Sequence, residues 1–249
     1  MIVTKSAAEL EIMREAGRIT AAALRLVGEA VRPGVTTAEL DTIAEEYIRS
    51  EGAAPAFKGY QGFPATLCTS PNDQVVHGIP GRTVLREGDI LSVDCGAIVD
   101  GYYGDSALTF AVGAVSEATA RLLEVTAASL QAAIAECRPG NHLSDVSHAV
   151  QAVVEAAGFS VVREYVGHGI GRAMHEEPQV PNYGRPGKGP QLKQGMALAI
   201  EPMVNAGGYG VHSLDDGWTV VTDDGLPSAH FEHTVAITAD GPRVLTTEG

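Results

Sequence analysis

The sequence predicts an α/β protein: a pseudo-twofold antiparallel sheet with helices on its outer side, built from two similar halves of one chain. Three observations predict it. Arg32-Pro33-Gly34 and Arg138-Pro139-Gly140 each separate two segments of helical periodicity. Leu85-Arg86-Glu87-Gly88 and Leu192-Lys193-Gln194-Gly195 each lead into an apolar strand that reaches an acid, Asp94 or Glu201, at the same distance beyond its glycine. A further acid opens a second apolar strand in each half, in Asp105-Ser106-Ala107-Leu108-Thr109 and in Glu232-His233-Thr234-Val235-Ala236. His77-Gly78-Ile79-Pro80 and His175-Glu176-Glu177-Pro178 share a His-x-x-Pro form as well. Matches in one order describe a single domain over residues 1–249 with halves of about 1–113 and 114–249. Each half then delivers two carboxylates to the centre.

The elements follow from local chemistry. Ser6 and Glu9 form a capping-box pattern that opens a helix to about Val31. Arg14, Arg18 and Arg25 fall on one face of it and read as a solvated stripe. Thr36 and Glu39 open a second helix to about Ser50. Glu51 to Pro64 is a loop rich in glycine, proline and aromatics, and short strands follow near Thr66–Ser70 and Val75–Val76. Asp100-Gly101 between apolar runs predicts a two-residue hairpin from Ile90 to about Val112. In that register Asp94 faces Ala107 and is the diagonal neighbour of Asp105, roughly 7–8 Å away on the same face. Helices are predicted from about Ser116 to Cys137 and from Ser144 to Ala157. Strands are predicted near Ser160–Val166, Ala197–Val204, Trp218–Thr222 and Glu232–Thr238.

Composition narrows the function. The chain carries 31 acidic against 17 basic residues, a net charge of −14, which excludes broad binding to a nucleic-acid backbone. No apolar run reaches the ~18 residues of a membrane span. Three cysteines, Cys68, Cys95 and Cys137, without a Cys-x-x-Cys pair or a signal peptide, predict a reducing cytoplasm. A monomer is expected.

Asp94, Asp105, Glu201 and Glu232 converging in an apolar sheet carry four negative charges, which two divalent cations neutralise. Oxygen donors suit Mg, Mn or Fe, and one imidazole extends the range to Co or Zn. His168, between glycines in Gly167-His168-Gly169-Ile170-Gly171, is the candidate imidazole. A paired site of this kind acidifies water and polarises a carbonyl for hydrolysis. The sequence has no G-x-S-x-G elbow, no H-E-x-x-H helix and no phosphate loop.

Asp94, Asp105, His168, Glu201 and Glu232, in this order, resemble the five metal ligands of the methionine aminopeptidase family. The surrounding motifs are similar too: Val76-His77-Gly78-Ile79-Pro80, His175-Glu176-Glu177-Pro178, Ile200-Glu201-Pro202-Met203 and Phe231-Glu232-His233-Thr234. The resemblance implies the pita-bread fold of the M24-like metallopeptidases. The short interval between His175 and Glu201 is similar to the bacterial type I form. The resemblance implies two divalent metals (Co, Mn, Fe or Zn) bridged by hydroxide and removal of initiator methionine from nascent chains and N-terminal methionyl peptides, preferably before a small second residue. Glu201 would be ligand and proton shuttle, His175 would stabilise the oxyanion, and His77 would contact the scissile amide. Tyr60, Phe63, Cys68 and Trp218 would line the methionine pocket, with Phe57 and Met174 at its edges. Asn72 and Ser228 match positions that serve a monovalent cation. Relatives can dock on the ribosome through a lysine-rich segment before the last ligand strand. Here Met203 to Pro227 holds no Lys or Arg but Asp215, Asp216, Asp223 and Asp224. Ribosome docking is therefore expected to be weak, or to use the Arg14, Arg18 and Arg25 face. Two other readings differ in outcome: a peptidase cutting before proline, and a binding protein that has lost catalysis.

Overall fold

The computed structural model describes all residues, 1–249. Helix α1 (Ala7–Ala30) begins on the predicted capping box: Ser6 accepts from Glu9 N–H while Glu9 accepts from the Ser6 backbone. Helix α2 (Thr37–Ser50) repeats the device with Thr36 and Glu39. Strands β1 (Ala54–Pro55), β2 (Leu67–Pro71) and β3 (Gln74–Val76) follow, then the long hairpin β4 (Ile90–Val99) and β5 (Tyr102–Ala111). Its register is the predicted one, Val99 opposite Tyr102, Asp94 opposite Ala107 and Gly96 opposite Asp105.

The second half opens with α3 (Glu117–Ala135) and α4 (Leu143–Ala156). Here α4 starts one residue before the predicted Ser144, because the Asp145 carboxylate accepts from His142 N–H at 2.7 Å. The remaining strands are short: β6 (Ser160–Val161), β7 (Gly167–Gly169), β8 (Glu176–Val180), β9 (Ala197–Ile200), β10 (Met203–Asn205), β11 (Val211–Ser213), β12 (Val220–Thr222) and β13 (Ser228–His230). The chain closes with β14 (Glu232–Thr238) and β15 (Gly241–Val244).

Nine strands form one sheet along the path β1-β4-β5-β14-β9-β7-β8, with β2 beside β4 and β15 beside β14. Smaller sheets are β13-β10-β6 and β11-β12-β3. The halves meet where β5 pairs antiparallel with β14. Equivalent turns are tied by equivalent bonds. Gly34 N–H donates to Leu85 O and Gly140 N–H to Leu192 O, at 2.8 and 3.1 Å. Gly88 N–H donates to Val112 O and Gly195 N–H to Ile237 O, both at 2.9 Å. Gly88 and Gly195 share a left-handed φ of 92° and 89°, which a residue with a Cβ resists.

Strand alternation sorts the side chains. Leu91, Val93, Cys95 and Ala97 pack with Ile19, Leu24, Leu40 and Ile48 of α1 and α2. Leu198, Ile200, Val235 and Ile237 pack with Leu130, Val146 and Val150 of α3 and α4. Residues between these positions, Asp94 among them, face away from the helices. Truncating a fully buried leucine such as Leu91 costs about 2–5 kcal/mol.

Two predicted strands are broken, for one reason. The predicted Ala197–Val204 strand is divided between β9 of the large sheet and β10 of a small one, while of the predicted Ser160–Val166 strand only Ser160–Val161 (β6) forms, in the same small sheet, before the chain crosses at residues 162–166 to β7 of the large sheet. At the second break Pro202, lacking an N–H, cannot continue the ladder. Phe231 makes a third crossing, from β13 to β14. Trp218 lies before its strand, in a turn whose Trp218 and Thr219 N–H groups both donate to Asp216.

Candidate metal centre and active site

The three crossings surround a pit on the helix-free face. Ala107 is its centre: it pairs with Asp94 of β4 on one side and with Glu232 of β14 on the other. Asp105 lies two residues along the same face of β5. Thr234 replaces the ladder there, its hydroxyl accepting from Asp105 N–H (3.1 Å) and donating to Asp105 O (2.8 Å). Glu201 enters from the β9–β10 crossing, where Asn182 Nδ2 donates to its backbone oxygen at 2.9 Å.

His168 comes from β7, paired with Ala199 of β9. Its flanking glycines are required by space: a Cβ on Gly167 would strike Ala199 O, and one on Gly169 would strike Glu177 O. His168 Nδ1 lies 2.9 Å from Gly169 O. A proton on Nδ1 would satisfy that carbonyl and leave Nε2 as the free lone pair. Nε2 sits 3.5 Å from Glu201 Oε1 and 3.8 Å from Asp105 Oδ2.

The cluster is strongly desolvated. Asp105 and Glu232 are 3% and 2% exposed. Burial pushes the Asp94 carboxyl up to about 7, and burial with mutual repulsion pushes Asp105 and Glu232 well above the carboxylate range. Glu201 shifts the same way, by burial and then by Asp94. Burial holds His168 down to about 4 and His230 to about 3. The only side chains that could carry positive charge within 4 Å of these acids are His168 and His230. An oxygen each of Asp94, Asp105 and Glu232 is buried without a hydrogen-bond partner. Orphaned acceptors facing one another beside a neutral imidazole are a donor set for divalent cations.

A cavity of about 170 Å³ is lined by the four carboxylates together with aromatic and apolar side chains. That is below the roughly 300–1,000 Å³ of pockets that enclose whole drug-sized ligands, and suits one side chain. All of the predicted pocket residues line it: Phe57, Tyr60, Phe63, Cys68, His77, Met174, His175 and Trp218. Phe63 meets Trp218 edge-on at 5.0 Å. Cys68 pairs with Asp94 across β2 and β4, which joins the apolar wall to the acids. Asn72 and Ser228 also lie together, Ser228 N–H donating to Asn72 O at 2.9 Å.

The histidines are held from outside the pit. Tyr60 Oη lies 2.7 Å from His175 Nδ1. Glu176, next in sequence, accepts from Arg172 and Ala173 N–H and from the buried Lys5 ammonium at 2.6 Å. His77 has a left-handed φ of 62° and packs edge-on against Tyr165 at 5.6 Å.

The sequence pattern of metallopeptidase family M24 matches residues 11–239. The chain belongs to metallopeptidase family M24. Among proteins similar to this M24 chain, the methionine aminopeptidase of Clostridium perfringens is 56% identical over 246 residues, 99% of each chain. Methionine aminopeptidase 1 of Bacillus subtilis is 56% identical, again over 99% of both. The crystal structure of a methionine aminopeptidase from Thermotoga maritima superposes with a TM-score of 0.98, at 49% identity over all of both chains. A prolidase from Pyrococcus horikoshii shares the fold at 22% identity and a TM-score of 0.81, and this chain covers 65% of it. The M24 fold is the pita-bread arrangement that the resemblance implied.

Sequence reasoning missed Gln61, which also lines the cavity, and His230, whose Nε2 reaches the acids. Gln61 sits in a kinked turn at φ 49° that no motif announced. His230 was within reach of the sequence, two residues before Glu232.

Proposed function

We propose that this chain removes the initiator methionine from nascent proteins and N-terminal methionyl peptides, preferring a small second residue. One observation carries the reading: a cavity of one side chain's size brings an aromatic and apolar wall together with four carboxylates, Asp105 and Glu232 of them fully buried, and with His77 and His175. Full-length identity of 56% to a methionine aminopeptidase supports it. Asp94, Asp105, His168, Glu201 and Glu232 would hold two divalent cations, drawn from Mn, Fe, Co and Zn. When bound, these cations supply Lewis acidity that polarises the first peptide carbonyl and acidifies a water.

The chain's own residues do the rest. Phe57, Phe63, Cys68, Met174 and Trp218 hold the methionine side chain, and Tyr60 closes the rim. The free amino terminus lies at the acidic end, so only a first residue fits. Glu201 takes a proton from the attacking water and passes it to the leaving nitrogen. Tyr60 on Nδ1 turns His175 so that Nε2–H donates to the carbonyl oxygen as charge develops. His77, fixed against Tyr165, contacts the scissile amide. Asn72 and Ser228 would serve a monovalent cation. A monomer in the cytoplasm fits this work, and three free buried cysteines agree with a reducing compartment.

Metal-loaded protein assayed against Met-Ala-x and Xaa-Pro peptides decides the substrate. Release of methionine from Met-Ala-x alone is expected. Cleavage confined to Xaa-Pro peptides would overturn the assignment, and cleavage of neither would favour a binding protein.

A further inference from the structure

Among buried side-chain nitrogens, His230 Nε2 alone lacks a hydrogen-bond partner. The residue ends β13, and its backbone is fixed on both sides by Thr109, whose hydroxyl accepts from His230 N–H at 2.9 Å and donates to His230 O at 2.7 Å. The ring is 1% exposed. Nε2 lies 3.7 Å from Glu201 Oε2 and 4.0 Å from Glu232 Oε2. Both separations are too long for hydrogen bonds. They match those of His168 Nε2, at 3.5 and 3.8 Å from its two carboxylates. Two donors each about 2.1 Å from one ion lie at most about 4.2 Å apart. Asp105, His168 and Glu232 form one triad whose donor atoms all lie within 4.8 Å of one another; Glu201, His230 and Glu232 form another.

We propose that His230 Nε2 is a further ligand of the metal centre, binding one divalent cation together with Glu201 and Glu232. The five-residue pattern does not include it, and the inference rests on the reading of the site as a metal centre. The two triads share Glu232 and each contains one imidazole. An imidazole in each triad tilts preference toward Fe, Co or Zn over Mg.

Titration of the metal-stripped full chain with Co2+, followed by calorimetry and visible absorption, tests this. His230→Gln keeps an N–H that can donate to Glu201 but is a poor metal ligand. The variant should lose about tenfold or more in affinity at one Co2+ site and change the visible bands, as His168→Gln should. Wild-type affinity and bands in His230→Gln, with both lost in His168→Gln, would overturn the proposal. Independently of any variant's folding, Zn2+ should move two imidazole Nε2 signals of [15N]histidine-labelled wild-type protein to metal-bound positions. A single moving signal would overturn it. Wild-type protein that takes up no Co2+ would remove the metal centre itself, and this ligand with it.

Discussion

Ala107 has no chemistry, yet two acids of the pit are placed through it. A small side chain between Asp94 and Glu232 lets strands from both halves bring carboxylates to one face. His175 is aimed by a different means, through Tyr60 and through Glu176 gripped by Lys5. Replacing His175 by alanine should lower kcat by about 10²–10³ while KM changes little, as expected for a donor to developing charge. Tyr60→Phe removes one neutral hydrogen bond worth about 1 kcal/mol, so about a fivefold fall in kcat is expected; steady-state kinetics on a Met-Ala peptide reads both. Protonation follows from burial. In the metal-free protein desolvation raises all four carboxyls, Asp94 to about 7, so the cluster holds protons to higher pH than free carboxylates do. His168 and His230, pushed down, are already neutral near neutral pH and release none. Metal uptake at pH 7 should therefore release protons, and affinity should rise with pH. Calorimetry in buffers of different ionisation enthalpy measures this; uptake without proton release would contradict it.

At the scale of elements, α1 lies directly on the hairpin. A Cβ on Gly104 would come 2.5 Å from Gly17 N and 2.7 Å from Ala16 C. Both obstacles are backbone, which cannot rotate away. Gly104→Ala should destabilise by about 1–3 kcal/mol, seen as a lower urea midpoint. Thr20 reinforces the contact, its hydroxyl donating to Gly104 O at 3.1 Å. Arg14, Arg18 and Arg25, on the same helix, are matched by acids: Glu11; Glu15 and Glu51; Glu29 and Glu248. That stripe is a set of solvated ion pairs rather than free positive surface, and such pairs are individually weak. Strand breaks are the other lesson at this scale. Glu201 and Glu232 gain their positions because the chain leaves one sheet for another beside them.

For the whole molecule, each half has an apolar core on its own helices, with Ile90 of β4 packed into the second half's, and besides a small cluster around Val76 and Val220 the halves share a third core. That third cluster takes Leu10, Met13, Phe63 and Cys68 from one half and Ile170, Met174, Ala199 and Leu245 from the other. The acids likewise come from both halves. A divalent cation held by these acids would tie the halves together, and its binding energy should raise the stability of the entire chain. At one hundred times its dissociation constant it adds about 2.7 kcal/mol. Scanning calorimetry with and without chelator should show one transition that moves as a unit. A metal-dependent shift confined to one of two resolved transitions would refute that coupling. No helix is long and apolar enough to cross a membrane.

Hairpin register and both capping boxes were legible in the chain, because they rest on local chemistry and on the period of two that fixes which face a strand residue takes. The meeting of Asp94, Asp105, His168, Glu201 and Glu232 was legible only through the matched order of motifs and the likeness to a family. The cavity wall was legible only through likeness to a family, because aromatic residues far apart in sequence carry no spacing rule. His230, the Tyr60 hold on His175 and the Lys5 grip on Glu176 were decided by tertiary structure alone. They depend on where three strands cross between sheets and on contacts between residues as distant as Lys5 and Glu176. Sequence periodicity sets the direction of a side chain along its own strand; only packing of separate strands sets what that side chain meets.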